Sequence, residues 1–134
     1  MLKNPLYIIY IDGASSGNPG PAGIGVVIYE GTKKIDFISK SIGRATNNIA
    51  EYKSLIAGLF YAKKNGFKNI RVYSDSELII KQIQGEYLVR NMDLKKLHKE
   101  AKELVKEFTG FEILHIKSRE NKEANKLAQG GIER

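Results

Sequence analysis

Residues 7–25, which read YIIYIDGASSGNPGPAGIG, contain the stretch that decides the fold. The residues from Leu6 to Ile11 form a nearly continuous apolar run, which is typical of a central strand covered on both faces. Asp12 stands where that strand is expected to leave the core, so a rigid element would hold a carboxylate at the rim of the sheet. Asp-Gly is also common turn chemistry, and on this stretch alone Asp12-Gly13 fits that interpretation equally well.

The segment after this strand, Gly13 to Gly20, is rich in glycine, serine and asparagine and predicts a turn whose backbone can approach a ligand closely. It contains neither a P-loop nor a dinucleotide-binding fingerprint, because Gly23 to Tyr29 continues as a second strand rather than as a helix. A third strand over Lys34 to Ser41 completes an antiparallel meander.

Helices and strands then alternate along the rest of the chain. Thr46-Asn47-Asn48 offers N-cap residues for a helix that ends near Gly66. The later elements are a strand over Asn69 to Ser74, a helix over Ser76 to Gln84, an amphipathic helix with a stripe from Leu94 to Phe108, a strand over Phe111 to Lys117 and a helix over Glu120 to Gln129. The predicted fold class is α/β: a mixed five-stranded sheet, made of a three-stranded antiparallel meander and two parallel strands, with helices packed on it. We expect one domain over residues 1–134.

Three carboxylates are expected to meet at one edge of that sheet. Asp75 follows the fourth strand, which is reached through a helix and should therefore lie parallel to the first strand and beside it. Glu51 borders the apolar stripe of the first helix, where a carboxylate needs a cation or a donor. Both have ordinary alternatives, since Glu51 suits the helix dipole and Ser74 with Glu77 could form a capping box.

Converging carboxylates repel one another, and an all-oxygen site favours Mg²⁺ or Mn²⁺ over zinc. Two such ions about 4 Å apart can activate a water and stabilise the leaving oxygen of a phosphodiester. The formal net charge is +7, and residues 1–74 hold ten Lys and Arg against four Asp and Glu. This excess favours nucleic acid over a membrane as partner, although an ordinary solvated basic surface is the alternative.

Composition narrows the remaining function classes. The 134 residues include no cysteine, which excludes disulfide and thiolate chemistry. No apolar stretch approaches a membrane span, and residues 1–5 lack a signal-peptide pattern, so we expect a cytoplasmic protein. We also expect a monomer.

Five motifs, in order along the chain, resemble type 1 ribonuclease H. They are Tyr10-Ile11-Asp12-Gly13 with Gly17-Asn18-Pro19-Gly20-Pro21, then Thr46-Asn47-Asn48 with Ala50-Glu51, then Tyr73-Ser74-Asp75-Ser76, then Asn91-Met92-Asp93-Leu94, and finally His115 with Arg119 to Ala128. The resemblance implies an endonuclease that cuts the RNA strand of RNA/DNA hybrids. It also implies two Mg²⁺ ions, for which Mn²⁺ would substitute, and products with a 3′-hydroxyl and a 5′-phosphate.

The resemblance assigns roles to single residues. Metal ligands and catalytic groups are Asp12, Glu51, Asp75 and the residue at position 125, with His115 helping in proton transfer or product release. The residues matched to the RNA minor groove and its 2′-hydroxyls are Asn18, Asn47 and Glu77. Those matched to a phosphate of the DNA strand are Arg44, Thr46 and Asn91. The predicted substrate-binding set is completed by Gly17, Asn48 and Asn121.

This chain departs from the family pattern in two ways. The connection from Gly85 to Asp93 is too short for the extra basic helix that some members use as a substrate handle. More seriously, Asn125 stands where the family has its fourth catalytic Asp, and a neutral amide offers a metal only its carbonyl oxygen.

The substitution predicts impaired cleavage, in an engineered or a natural variant, with fold and substrate binding intact. The alternative function is a catalytically inactive ribonuclease H-fold module that binds hybrid or double-stranded RNA. Another nuclease of the same superfold is disfavoured by the Thr46-Asn47-Asn48 and Asn91 matches.

Overall fold

Five strands form one sheet in the order β3-β2-β1-β4-β5. The computed structural model describes residues 4–134; residues 1–3, part of the stretch considered for a signal peptide, lie outside the described residues. The strands are β1 (Leu6–Ser15), β2 (Gly20–Glu30), β3 (Lys33–Ala45), β4 (Asn69–Ser74) and β5 (Gly110–His115).

The sheet combines both directions of pairing. β1, β2 and β3 are antiparallel neighbours, whereas β4 lies parallel to β1 and β5 parallel to β4. This confirms the predicted mixed sheet and the predicted place of the fourth strand beside the first. The parallel ladder between β1 and β4 ends at the pair Tyr10 and Tyr73, while β1 continues to Ser15 paired with β2 alone.

Helices cover both faces of the sheet. They are α1 (Asn47–Lys64), α2 (Glu77–Ile83), α3 (Met92–Val105) and α4 (Lys122–Ile132), with a 3₁₀ turn at Ser118–Glu120 before α4. On β2, Val26 lies near Gly58 of α1, whereas Gly23 and Gly25 lie against the backbone of α4. Since alternate strand residues point to opposite faces, α1 and α4 pack on opposite sides of the sheet. The main core, which includes Ile9 and Leu55, lies on the α1 side.

Several element boundaries differ from the sequence prediction. The predicted turn over Gly13 to Gly20 shrinks to residues 16–19, because β1 and β2 both extend into it. α4 begins later than predicted, because the 3₁₀ turn takes up Glu120, and it ends later, at Ile132. The side chain of Ser76 caps α2, whereas the Ser74 side chain accepts from the Ser76 amide; the alternative capping box of Ser74 with Glu77 is not formed.

Within residues 4–134, no helix combines the length and the apolar character that a membrane crossing requires.

Candidate active site

Asp12 lies inside β1 rather than at its end, so the prediction that the strand stops at Asp12 is wrong. The strand continues because Asp12 and the three residues after it pair with β2, where Asp12 faces Gly25. Its position just beyond the β1–β4 ladder still brings it to the carboxyl end of the parallel pair. Asp12 is only 8% exposed, so the carboxylate is held by the strand and largely removed from water.

Glu51 reaches the same place from α1. Thr46 caps this helix, its hydroxyl accepting from the Ile49 amide at 3.2 Å. One turn later, Oε1 of Glu51 accepts a hydrogen bond from the Gly13 amide at 3.0 Å. The approach requires glycine at position 13, because a Cβ there would clash with the backbone of Ala50. Glu51 is 8% exposed, and within residues 4–134 its Oε2 has no hydrogen-bond partner.

Asp75 and His115 lie at the carboxyl ends of the two neighbouring parallel strands. Asp75 follows the last residue of β4, Ser74, and is half-buried. His115 is the last residue of β5, pairs with Ser74 and is exposed. Open α/β sheets commonly form their binding sites at this edge.

The three carboxylates converge. Asp12, Glu51 and Asp75 each offer an oxygen within 4.8 Å of the other two. Burial raises the pKa of Asp12 to about 6, and the charge of Asp75 adds to this. Burial, followed by the neighbouring charge of Asp12, raises the pKa of Glu51 well above its usual range. The fold therefore concentrates negative charge where water can solvate it poorly.

This donor set fits a hard divalent cation. All the converging atoms are carboxylate oxygens, which suit Mg²⁺ or Mn²⁺. A cation would also satisfy the buried Oε2 of Glu51 and offset the repulsion that adds to burial in raising the two pKa values. Asp12, Glu51 and Asp75 are thus the residues able to hold a metal.

The predicted fourth ligand, Asn125, lies on the first turn of α4. It is half-buried, and its Nδ2 donates to the carbonyl oxygen of Ser118 at 3.2 Å and to Oγ of Ser118 at 3.1 Å. An aspartate cannot donate these bonds and would face a carbonyl oxygen. The 3₁₀ turn therefore holds the amide of Asn125 through two hydrogen bonds that the carboxylate of the family pattern could not donate.

Asn121 lies at the start of α4 and is enclosed rather than presented to a ligand. It is 1% exposed, and its Nδ2 donates to the carbonyl oxygen of Ile11 and to Oδ2 of Asp75. Because Asn121 is buried, it offers almost no surface for the predicted contact with substrate. The sequence signal for this residue is weak, because a single Asn near the start of a predicted helix usually indicates a capping residue.

Two of the predicted RNA-contacting residues are joined at one corner of the molecule. Oδ1 of Asn18, on the turn between β1 and β2, accepts from the Asn47 amide at 2.9 Å. Oδ1 of Asn47 in turn accepts from the Ser15 amide at 3.0 Å. Gly17 on the same turn has a φ of 106°, which favours glycine. The hydrogen bonds fix this corner against the start of α1, and both asparagine side chains remain exposed.

The other predicted substrate-binding residues lie at or near the ends of several elements. Asn91 caps α3, its Oδ1 accepting from the Leu94 amide at 3.1 Å. Glu77 begins α2 and pairs with Lys81 at 3.2 Å. Exposed positions at the end of β3 and the start of α1 hold Arg44 and Asn48, with the half-buried Thr46 between them.

Comparison with known proteins identifies the family of this chain. The model of a family described as reverse transcriptase-like matches residues 10–131. The crystal structure of RNase H1 from the halophilic archaeon Halobacterium salinarum is 39% identical, with a TM-score of 0.92, and the match covers 96% of this chain and 98% of that one. The chain belongs to the ribonuclease H family.

Two further relatives place this ribonuclease H domain in context. LC11-RNase H1, solved in complex with an RNA/DNA hybrid, is 37% identical with a TM-score of 0.89, over 95% of this chain and 96% of that one. A bifunctional protein of Mycobacterium tuberculosis is 38% identical over 128 residues, which are 94% of this chain and 35% of that protein. The chain thus spans about a third of the length of its mycobacterial relatives.

Proposed function

We propose that this ribonuclease H-family chain is a metal-dependent endonuclease that hydrolyses the RNA strand of RNA/DNA hybrids. The observation that carries the proposal is the cluster of Asp12, Glu51 and Asp75, whose oxygens lie within 4.8 Å of one another at the carboxyl edge of the sheet. The likeness to LC11-RNase H1, whose structure contains a hybrid, supports the choice of substrate.

The chain's own groups divide the work as follows. The three carboxylates would hold two Mg²⁺ ions, or Mn²⁺ in their place. When bound, such ions supply an activated water and positive charge at the leaving oxygen. His115 is exposed at the same edge and suits a proton-transfer or product-release role.

Substrate recognition in this proposal rests on two groups of side chains. Asn18 and Asn47 would exchange hydrogen bonds with base edges and 2′-hydroxyls, which distinguish RNA from DNA. Arg44, Thr46 and Asn91 would grip a DNA phosphate and set the register. Exposed cations on the edge strand β3 would add non-specific attraction for the polyanion; they are Lys33, Lys34, Lys40 and Arg44.

The substitution at position 125 favours a second candidate function. Because Asn125 supplies no negative charge, the chain would cleave feebly, and in the limit it would be a module that binds hybrid or double-stranded RNA without cutting it. The predicted cytoplasmic location and monomeric state belong to either version.

A single substrate panel tests the proposal. Labelled hybrid, matched DNA duplex and matched RNA duplex are incubated with the protein in Mg²⁺, in Mn²⁺ and in EDTA, beside a Glu51→Gln control prepared identically. We expect cleavage of the hybrid's RNA strand alone, stopped by EDTA and by Glu51→Gln. Hybrid binding without any cleavage would favour the module, whereas cleavage that survives in Glu51→Gln would contradict the assignment of the site.

A further inference from the structure

We infer that Asn121 is a positioning residue that fixes the Asp75 carboxylate in the orientation needed to bind a divalent cation, an inference that rests on the proposed function. Asn121 is 1% exposed. Its Nδ2 lies 2.9 Å from the carbonyl oxygen of Ile11 and 3.3 Å from Oδ2 of Asp75. One amide group therefore joins the strand residue before Asp12 to the side chain of Asp75.

The chemistry of the two partners fixes how this amide is oriented. Both are acceptors, a backbone carbonyl and a carboxylate, so the NH₂ side of Asn121 must face them. An aspartate here would place its own acceptor oxygens against these two acceptors, and a serine hydroxyl could donate only one hydrogen bond. Only a short side chain with two donor hydrogens meets both demands.

The other half of the same amide has no partner. Among the described residues no hydrogen bond reaches Oδ1 of Asn121, although the atom is buried. Leaving a buried acceptor unpaired costs about 1–3 kcal/mol. A residue needed only for the fold would be expected to satisfy both halves of its amide or to be apolar. The unsatisfied oxygen therefore indicates that Asn121 is needed for its NH₂ group, which donates to Asp75.

Asp75 needs such a hold more than its neighbours do. Asp12 is fixed inside β1 and Glu51 is anchored by the Gly13 amide, whereas Asp75 follows the end of β4 and is half-buried. Repulsion from the other two carboxylates would turn a loosely held side chain toward water. The Asn121 bond opposes that rotation, so the three oxygens stay close enough to share a cation.

The test uses the metal ion alone as the probe. Asn121→Leu keeps a branched side chain of similar size and removes both donors. Gln82→Met is the matched control, because Gln82 is also a buried amide and its side chain bonds to Tyr52 and Leu88 rather than to a carboxylate of the cluster. Calorimetric titration with Mg²⁺ and with Mn²⁺ should show binding about 10- to 100-fold weaker in Asn121→Leu. The control should melt at a lower temperature and bind the ions as the unsubstituted protein does.

A second readout needs no metal. Three-bond couplings measured by NMR report whether the Asp75 side chain occupies one χ1 rotamer. We expect a single rotamer in the unsubstituted protein in EDTA and averaged couplings in Asn121→Leu. Averaged couplings in the unsubstituted protein would overturn the inference without any variant, which covers the case in which Asn121→Leu does not fold.

The remaining outcomes separate this inference from the function on which it rests. Unchanged ion affinity in Asn121→Leu, or an equal loss in Gln82→Met, would show that Asn121 serves only the fold. If the unsubstituted protein bound neither ion, the proposed function would fail and the metal-binding purpose with it. The couplings would then still decide whether Asn121 fixes Asp75.

Discussion

We expect Asp12→Asn to stabilise the metal-free protein at neutral pH. The pKa of Asp12 is raised from 3.8 to about 6, chiefly by burial. The folded state therefore keeps a proton that the unfolded state has already released. The unsubstituted protein therefore has its full unfolding free energy below about pH 3.8, where Asp12 is protonated in both states. It loses part of this free energy as the pH rises through about 6. At 1.36 kcal/mol for each pH unit, the difference amounts to about 3 kcal/mol.

Urea unfolding in EDTA between about pH 4 and pH 8 measures this effect. The unfolding free energy of Asp12→Asn relative to the unsubstituted protein should rise by about 2 kcal/mol across that range, because the unfolded carboxyl is already partly ionised at pH 4. Glu86→Gln, which removes an exposed carboxylate outside the cluster, should follow the unsubstituted protein throughout. Excess Mg²⁺ should reduce the difference, because a bound cation stabilises the charged carboxylate. A constant difference between the two proteins from acid to neutral pH would refute the reasoning.

Three further predictions concern the substrate surface and the approach of α1 to β1. Arg44→Ala should weaken hybrid binding and lower the slope of log affinity against log salt by about 1; an unchanged slope measured by fluorescence anisotropy would remove Arg44 from the phosphate contacts. Replacing Asn18 and Asn47 together by Ala should cost more affinity for hybrid than for DNA duplex, and equal losses would mean that the pair only positions the backbone. Gly13→Ala should destabilise the fold by about 1–3 kcal/mol, because the new Cβ would clash with the Ala50 backbone and push Glu51 away; an unchanged urea midpoint would contradict the close approach.

Much of the fold follows from local patterns in the sequence. The apolar run that contains Ile9 and Ile11 predicts the central strand, and the helix between it and Asn69 to Ser74 predicts the parallel neighbour. Since both strands carry an acid near their carboxyl ends, the meeting of Asp12 and Asp75 can be predicted without a structure. The same reasoning failed on the length of β1, because the glycines after Asp12 are typical of turns. In the structure, Gly13 lies within the strand, and its missing Cβ allows the backbone of α1 to pack closely against β1.

Other features of the site depend on long-range contacts that cannot be predicted from local sequence patterns. Asn121 looks like a helix cap, and its burial behind Asp75 depends on how α4 docks on β1. Likewise, the chemistry of Asn125 suggests a weak metal ligand, but its bonds to Ser118 arise from the 3₁₀ turn before α4. Periodicity predicts which face of an element is buried, whereas the direction of one amide depends on what the fold brings beside it.

The rate of hybrid cleavage before and after Asn125→Asp tests the central claim most directly. The substitution removes the donor to Ser118 and restores the carboxylate of the family pattern. If residue 125 belongs to the metal site, the repaired protein should hold its metal better. We expect Mg²⁺-dependent cleavage to rise by on the order of 100-fold, or about 2.7 kcal/mol of barrier, with little change in hybrid affinity measured in Ca²⁺. A repaired protein that binds hybrid but stays inactive with Mg²⁺ and with Mn²⁺ would contradict the claim of a nuclease. Full activity in the unrepaired protein would contradict the place of residue 125 among the metal ligands.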